Sequence, residues 1–133
     1  MHTEVIQIKN TIGLKIIASK QLNTNEFIKV LLQCMDSDKA LFFTCDFIVA
    51  DFSHVTSFDL PFNDLIKVAQ NCHQHENQSS NSLILSIATK NNALYKLFTS
   101  WKEILSDSKS LQPGVFRDIE RAVQWANIKI SQN

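Results

Sequence analysis

The chain reads as an α/β protein built on one mixed sheet of four or five strands, with an N-terminal hairpin and about four helices. Three observations predict this. Phe47-Ile48-Val49-Ala50 and Leu83-Ile84-Leu85-Ser86-Ile87-Ala88 are short apolar runs of the kind buried on both faces of a parallel sheet. Between them Phe62, Leu65, Ile66, Ala69 and Cys72 recur at helical spacing, so strand, helix and strand form a βαβ unit that joins two parallel strands. At the N-terminus Glu4-Val5-Ile6-Gln7-Ile8 alternates, turns around Asn10 to Gly13, and is followed by Leu14-Lys15-Ile16-Ile17-Ala18, which reads as a hairpin.

Taken in order, the remaining elements follow from caps and stripes. Asn23 with Glu26 three residues on starts a first helix in the manner of a capping box, with Phe27, Val30, Leu31, Cys34 and Met35 on its inner face. Leu41-Phe42-Phe43 is apolar but too short to separate a helical turn from a strand lead-in. The central stretch then runs from the strand at Phe47 through a loop, Ser53 to Phe58, into a helix from Asp59 to Cys72. Asp59 is placed to cap that helix and Pro61 sits in its first turn, where a missing N–H costs little. Val49 and Leu85 are expected to be buried, Lys67 and Asn71 exposed. His73 to Ser82 is a polar loop or frayed helix end. Asn91 or Asn92 caps a third helix whose apolar face is Leu94, Leu97, Phe98, Trp101, Ile104 and Leu105. Pro113-Gly114 reads as a turn and Val115-Phe116 as a short edge strand at most. Arg117-Asp118 opens the last helix, with Ile119, Ala122, Val123 and Ala126 turned inward.

Composition narrows the function classes. The chain has 133 residues, 44% of them hydrophobic, with 13 basic residues balanced by 13 acidic ones. Residues 1–133 therefore make one domain with a real core, and no linker or repeat divides them. The balance of charge gives no pull toward nucleic acid or an anionic membrane. It removes a barrier to self-association, and the hairpin offers an edge strand that only Glu4, Lys9 and Lys15 are placed to blunt, so a homodimer is expected. No apolar stretch approaches the ~20 residues of a membrane span, and the first residues lack a signal-peptide core. The cysteines, Cys34, Cys45 and Cys72, are odd in number and scattered, which fits reduced thiols in a cytoplasmic protein.

Around the central strand the sequence resembles the STAS domain, the family of sulfate transporters and anti-sigma factor antagonists. Val49-Ala50-Asp51-Phe52-Ser53-His54-Val55-Thr56-Ser57-Phe58-Asp59-Leu60-Pro61 matches the family's strand, loop and helix start at Asp51, Ser53, Val55 and Asp59. Ala93 to Phe98, followed by Val115-Phe116 and the helix containing Ala122-Val123-Gln124-Trp125, looks like the closing segment of small bacterial STAS-like (SpoIIAA-like) proteins. The resemblance covers nearly the whole chain. It implies a SpoIIAA-like fold and a non-enzymatic regulatory role carried by protein–protein contacts. In the antagonists the serine after the aspartate is a regulatory phosphorylation site. Here that position is Leu60, with Pro61 in place of the second serine, so the switch cannot operate there.

The candidate binding residues are accordingly Ser53, His54, Thr56, Ser57, Phe58, Asp59, Leu60 and Phe62. A recognition surface of Val55, Phe58, Leu60 and Phe62 is expected, against the alternative that Leu60 packs on the domain's own core. Each member also has a plainer reading. Asp59 serves as a simple helix cap, and Thr56 and Ser57, otherwise displaced phosphoacceptors, serve as loop hydroxyls making local turn bonds. Cys72, His73 and His75 have poor spacing for a metal and lack a second ligand pair, so no metal or other cofactor is expected. His54 stands alone, and Gly13 and Gly114 make no phosphate loop. Trp101 and Trp125 are spaced as core residues on helices that are candidate neighbours. Phe42, Phe43 and Phe58 stand outside the helical stripes and suit an apolar patch. The second functional reading is therefore a binding protein for an apolar small molecule or lipid, and the third a hydrolase using His54 or Asp59. An enclosed apolar pocket favours the lipid reading, a flat patch around residues 56–62 the partner reading.

Overall fold

The computed structural model describes residues 1–35, 46–75, 82–108 and 111–132, of which 24, 32–35 and 71–75 are described by their backbone alone. Along these residues run β1 (His2–Ile8), β2 (Thr11–Asn23), α1 (Thr24–Met35), β3 (Phe47–Asp59), α2 (Phe62–His75), β4 (Leu83–Thr89), α3 (Asn92–Ile104), β5 (Leu111–Phe116) and α4 (Ile119–Gln132). The sheet has five strands in the order β1-β2-β3-β4-β5. β1 and β2 form the antiparallel hairpin, and every later neighbour is parallel. The predicted βαβ unit is therefore present, with Phe47 opposite Ile84 and Phe52 opposite Thr89.

Alternation along the strands divides the core into two layers. Ile48, Ala50 and Phe52 of β3, with Leu83, Leu85 and Ile87 of β4, pack against Phe27 and Leu31 of α1, Leu65, Val68 and Ala69 of α2, and Leu94, Phe98 and Trp101 of α3. The other sheet face, with Phe47, Val49 and Ile84, meets Ala126 of α4. Aromatic rings tie the first layer together: Phe27 stands edge-on to Phe52 and Phe98 at 5.5 and 5.7 Å between centroids. The Trp101 indole N–H donates to the Leu65 carbonyl at 2.9 Å, so a fully buried tryptophan leaves no donor unpaired. In the second layer, the Ser86 hydroxyl donates to the Ala122 carbonyl at 2.7 Å and satisfies the one polar side chain in the middle of β4.

Several expectations change. The hairpin turn is tighter than the sequence suggests: Ile8 pairs with Thr11, and Lys9 takes a φ of 56° in a two-residue turn. Gly13 lies inside β2, where a Cβ would meet the Phe47 carbonyl and ring at 2.5–2.6 Å. Pro113-Gly114 is likewise strand, with Pro113 opposite Leu85. Trp101 and Trp125 are not neighbours; they lie in opposite layers, and the Trp125 ring covers Gly114. In α2 it is Val68 that is buried, while Ile66 is only partly covered; in α3 Ile104 and in α4 Val123 are exposed. The last helix begins at Ile119, with the Asp118 carboxylate accepting the Arg121 N–H at 2.8 Å. Val49 and Leu85 are fully buried and Lys67 is exposed, as expected. Leu41, Phe42, Phe43 and Cys45, the side chains of Cys34, Met35, Asn71 and Cys72, and most of the His73–Ser82 stretch lie outside the described residues.

Candidate functional site

Residues 53–58 are not a loop. β3 continues through them to Asp59, paired with β2 down to Asn23. The extension carries two irregularities. Between Ile17 and Ser19 on β2 the partner strand advances from Asp51 to His54, and between Lys20 and Gln21 it advances from Val55 to Ser57. Each shift inserts an extra residue in β3, as a bulge does. The consequence is a change of period: Phe52, Val55 and Phe58, three apart, all reach the helical layer. Local bonds support the bulges. The Ser53 N–H donates to the Asp51 carboxylate at 3.1 Å, and the Thr56 hydroxyl donates to the carbonyl of Lys20, itself at a φ of 65°. The Ser53 hydroxyl is enclosed and, among the described residues, has no hydrogen-bond partner.

Because β3 holds Asp59 in its ladder and Pro61 disfavours a helical Leu60, α2 starts only at Phe62. Pro61, not Asp59, precedes the first helical residue, and its carbonyl accepts the Asp64 N–H at 3.0 Å. Asp59 is exposed at the strand end and does not cap α2.

The expected recognition surface separates into two parts. Val55 and Leu60 are 4% and 5% exposed and belong to the core. Leu60 is buried, so the plainer reading of that residue, packing on the domain's own core, holds. Phe58 and Phe62 stay partly exposed and line a shallow groove of about 350 Å³ with Ala93, Lys96, Leu97 and Ser100 of α3. His54, Thr56 and Ser57 are exposed on the strand next to it. Of the α3 residues of this groove, Leu97 belongs to the apolar stripe read from the sequence, whereas Ala93, Lys96 and Ser100 lie outside that stripe.

The groove lies at the carboxyl ends of the parallel strands, the side on which α/β sheets present ligand-binding loops. Polar bonds lie on the neighbouring segments. Asn91 caps α3 by accepting the Leu94 N–H at 3.0 Å and donates to the Thr56 carbonyl at 3.3 Å, which ties the end of β4 to the extended β3. Beyond it the Arg117 guanidinium stacks 3.9 Å above the Tyr95 ring and donates to Asn92 at 2.7 Å. A second cleft, about 470 Å³, lies along β5 between the end of α3 and α4, lined in part by Lys102, Leu111, Pro113, Trp125 and Lys129. Among the described residues no group of three His, Cys, Asp or Glu side chains could hold a metal ion, and no helix is long and apolar enough to cross a membrane. The Cys72, His73 and His75 side chains are outside that description.

A mixed five-stranded sheet with three helices on one face and a fourth on the other defines the class of this chain: it has a SpoIIAA-like fold. The solved structure of an uncharacterised DUF3478-family protein with a SpoIIAA-like fold, from Shewanella loihica, matches it with a TM-score of 0.53. That match covers 93% of this chain and 91% of the other at 13% sequence identity, and so concerns the fold alone. No protein-family model matches the chain, and no curated protein does.

Proposed function

We propose that the protein is a non-enzymatic, STAS-like binding module that engages a protein partner through the groove between the end of β3 and α3. The observation that carries this reading is the pair Phe58 and Phe62, left partly exposed beside Lys96 although their neighbours Val55 and Leu60 are buried. Two rings at an open groove suit an apolar anchor residue of a partner, and aromatic residues are enriched at such contacts. Recognition is constitutive in this reading, because the family's phosphoacceptor position is a buried leucine. The test is a pull-down from native cytosol with wild type beside Phe62→Ser and Lys96→Glu, each checked for an unchanged circular-dichroism spectrum. The expected result is one protein retained in stoichiometric amount by wild type and lost by both variants. Equal retention by all three, or none by wild type, overturns the assignment of the groove.

A further inference from the structure

The geometry points to a homodimer in which β1 pairs antiparallel with β1 of a second copy, centred on Val5, to make one continuous sheet. The orientation of the edge follows from a single bond. The Ile12 carbonyl accepts the Asp46 N–H at 3.1 Å, so Ile12 turns its backbone groups toward β3 and away from β1. Its hairpin partner Gln7 is therefore in a non-hydrogen-bonded pair, and by alternation Thr3, Val5 and Gln7 turn their N–H and C=O groups outward from the sheet. Among the described residues nothing pairs with them. β1 has neither proline nor bulge, its register with β2 being unbroken from His2 to Ile8. Edges of this kind recruit another strand unless something blocks them.

A second copy fits this edge because the edge is complementary to itself. With a twofold axis at Val5, Thr3 lies opposite Gln7 of the second copy, Val5 opposite Val5, and Gln7 opposite Thr3. Each of these pairs exchanges both of its backbone bonds, so every outward N–H and C=O of the three residues is satisfied. No like charges meet directly: Glu4 faces Ile6 of the second copy, and Lys15 stands across the hairpin from Glu4. The pairing also covers Val5, which at 60% exposed is the most exposed large hydrophobic residue described. The opposite edge is closed to the same use. Pro113 has no N–H, and the outward N–H of Leu111 already donates to the Ser108 hydroxyl at 3.4 Å.

Sedimentation of the whole chain over a range of concentrations, beside Val5→Lys, tests the proposal. Wild type is expected to be a dimer, and Val5→Lys, which sets two cations face to face at the axis, to raise the dissociation constant by about tenfold or more. Linking Val5→Cys with a short bismaleimide is expected to give a covalent dimer in a yield well above that of wild type, which carries Cys34, Cys45 and Cys72, and of Ile12→Cys, exposed but off the axis. A wild-type monomer at every concentration overturns the proposal. So does a dimer that survives Val5→Lys, or a Val5→Cys chain that links no better than Ile12→Cys. Partner capture at the Phe58–Phe62 groove is measured separately and is independent of this result.

Discussion

At one side of the sheet, β5 carries Pro113 where an outward N–H would stand, and Gly114 lies beneath the Trp125 ring. α3 and α4 rise on either side of it, with Lys102 and Lys129 over the cleft between them. At the other side, β1 is a regular strand of alternating residues with Val5 in solvent. Both edges contain a close approach of glycine and an aromatic ring, since Phe47 lies on Gly13 just inside the hairpin. They differ in what surrounds that approach. The β5 edge is shut by a missing donor and by flanking helices, whereas the β1 edge keeps a full set of outward backbone groups. Regular strand geometry is thus no guide to whether an edge is available; the proline and the neighbouring helices decide it.

Substitutions at the two glycines sharpen the comparison. Gly13→Ala is expected to be the more damaging, at about 3 kcal/mol or more, because the new Cβ would meet a backbone carbonyl at 2.5 Å that cannot rotate away. Gly114→Ala meets side-chain atoms at 2.8–2.9 Å, and the Trp125 and Phe116 rings can tilt, so about 2 kcal/mol is expected. Urea unfolding of both variants against wild type measures the order; a Gly114→Ala chain less stable than Gly13→Ala would show that the Trp125 and Phe116 rings are held more rigidly than the Gly13–Phe47 contact. The smallest effect on stability belongs to Pro113→Ala, within about 1 kcal/mol, because the residue's missing N–H faces away from β4. Its expected effect is on association: restoring a donor to β5 opens a second edge, and sedimentation should detect species larger than those of wild type. No change in mass would show that the helices alone close that side.

The hairpin, the two buried parallel strands and the amphipathic helices were legible because their signals are local. Apolar runs of β-branched residues and stripes at helical spacing survive without knowledge of neighbours. The site was legible only in part. Phe58 and Phe62 were picked out, but Ser53 to Phe58 carries the polar residues and hydroxyls of a loop, and in the α3 half of the groove only Leu97 lies on the helix's apolar stripe. What makes residues 53–59 a strand is the length of β2, which runs to Asn23 and supplies a ladder for them.

The sequence by itself determined the βαβ chemistry of the centre, the absence of a hydroxyl at Leu60 and the amphipathic character of each helix. Tertiary structure alone decided that Leu60 is core, that Pro113-Gly114 lies in a strand, and that α4 takes the face opposite α1, α2 and α3. The reason is that a side chain's polarity and a residue's backbone preference are properties of the residue, whereas burial, register and the closure of an edge depend on which distant segment arrives beside it. The bulges in β3 show this most directly: they turn a period of two into a spacing of three, bringing Val55 and Phe58 to the same core as Phe52, and they arise from pairing with β2.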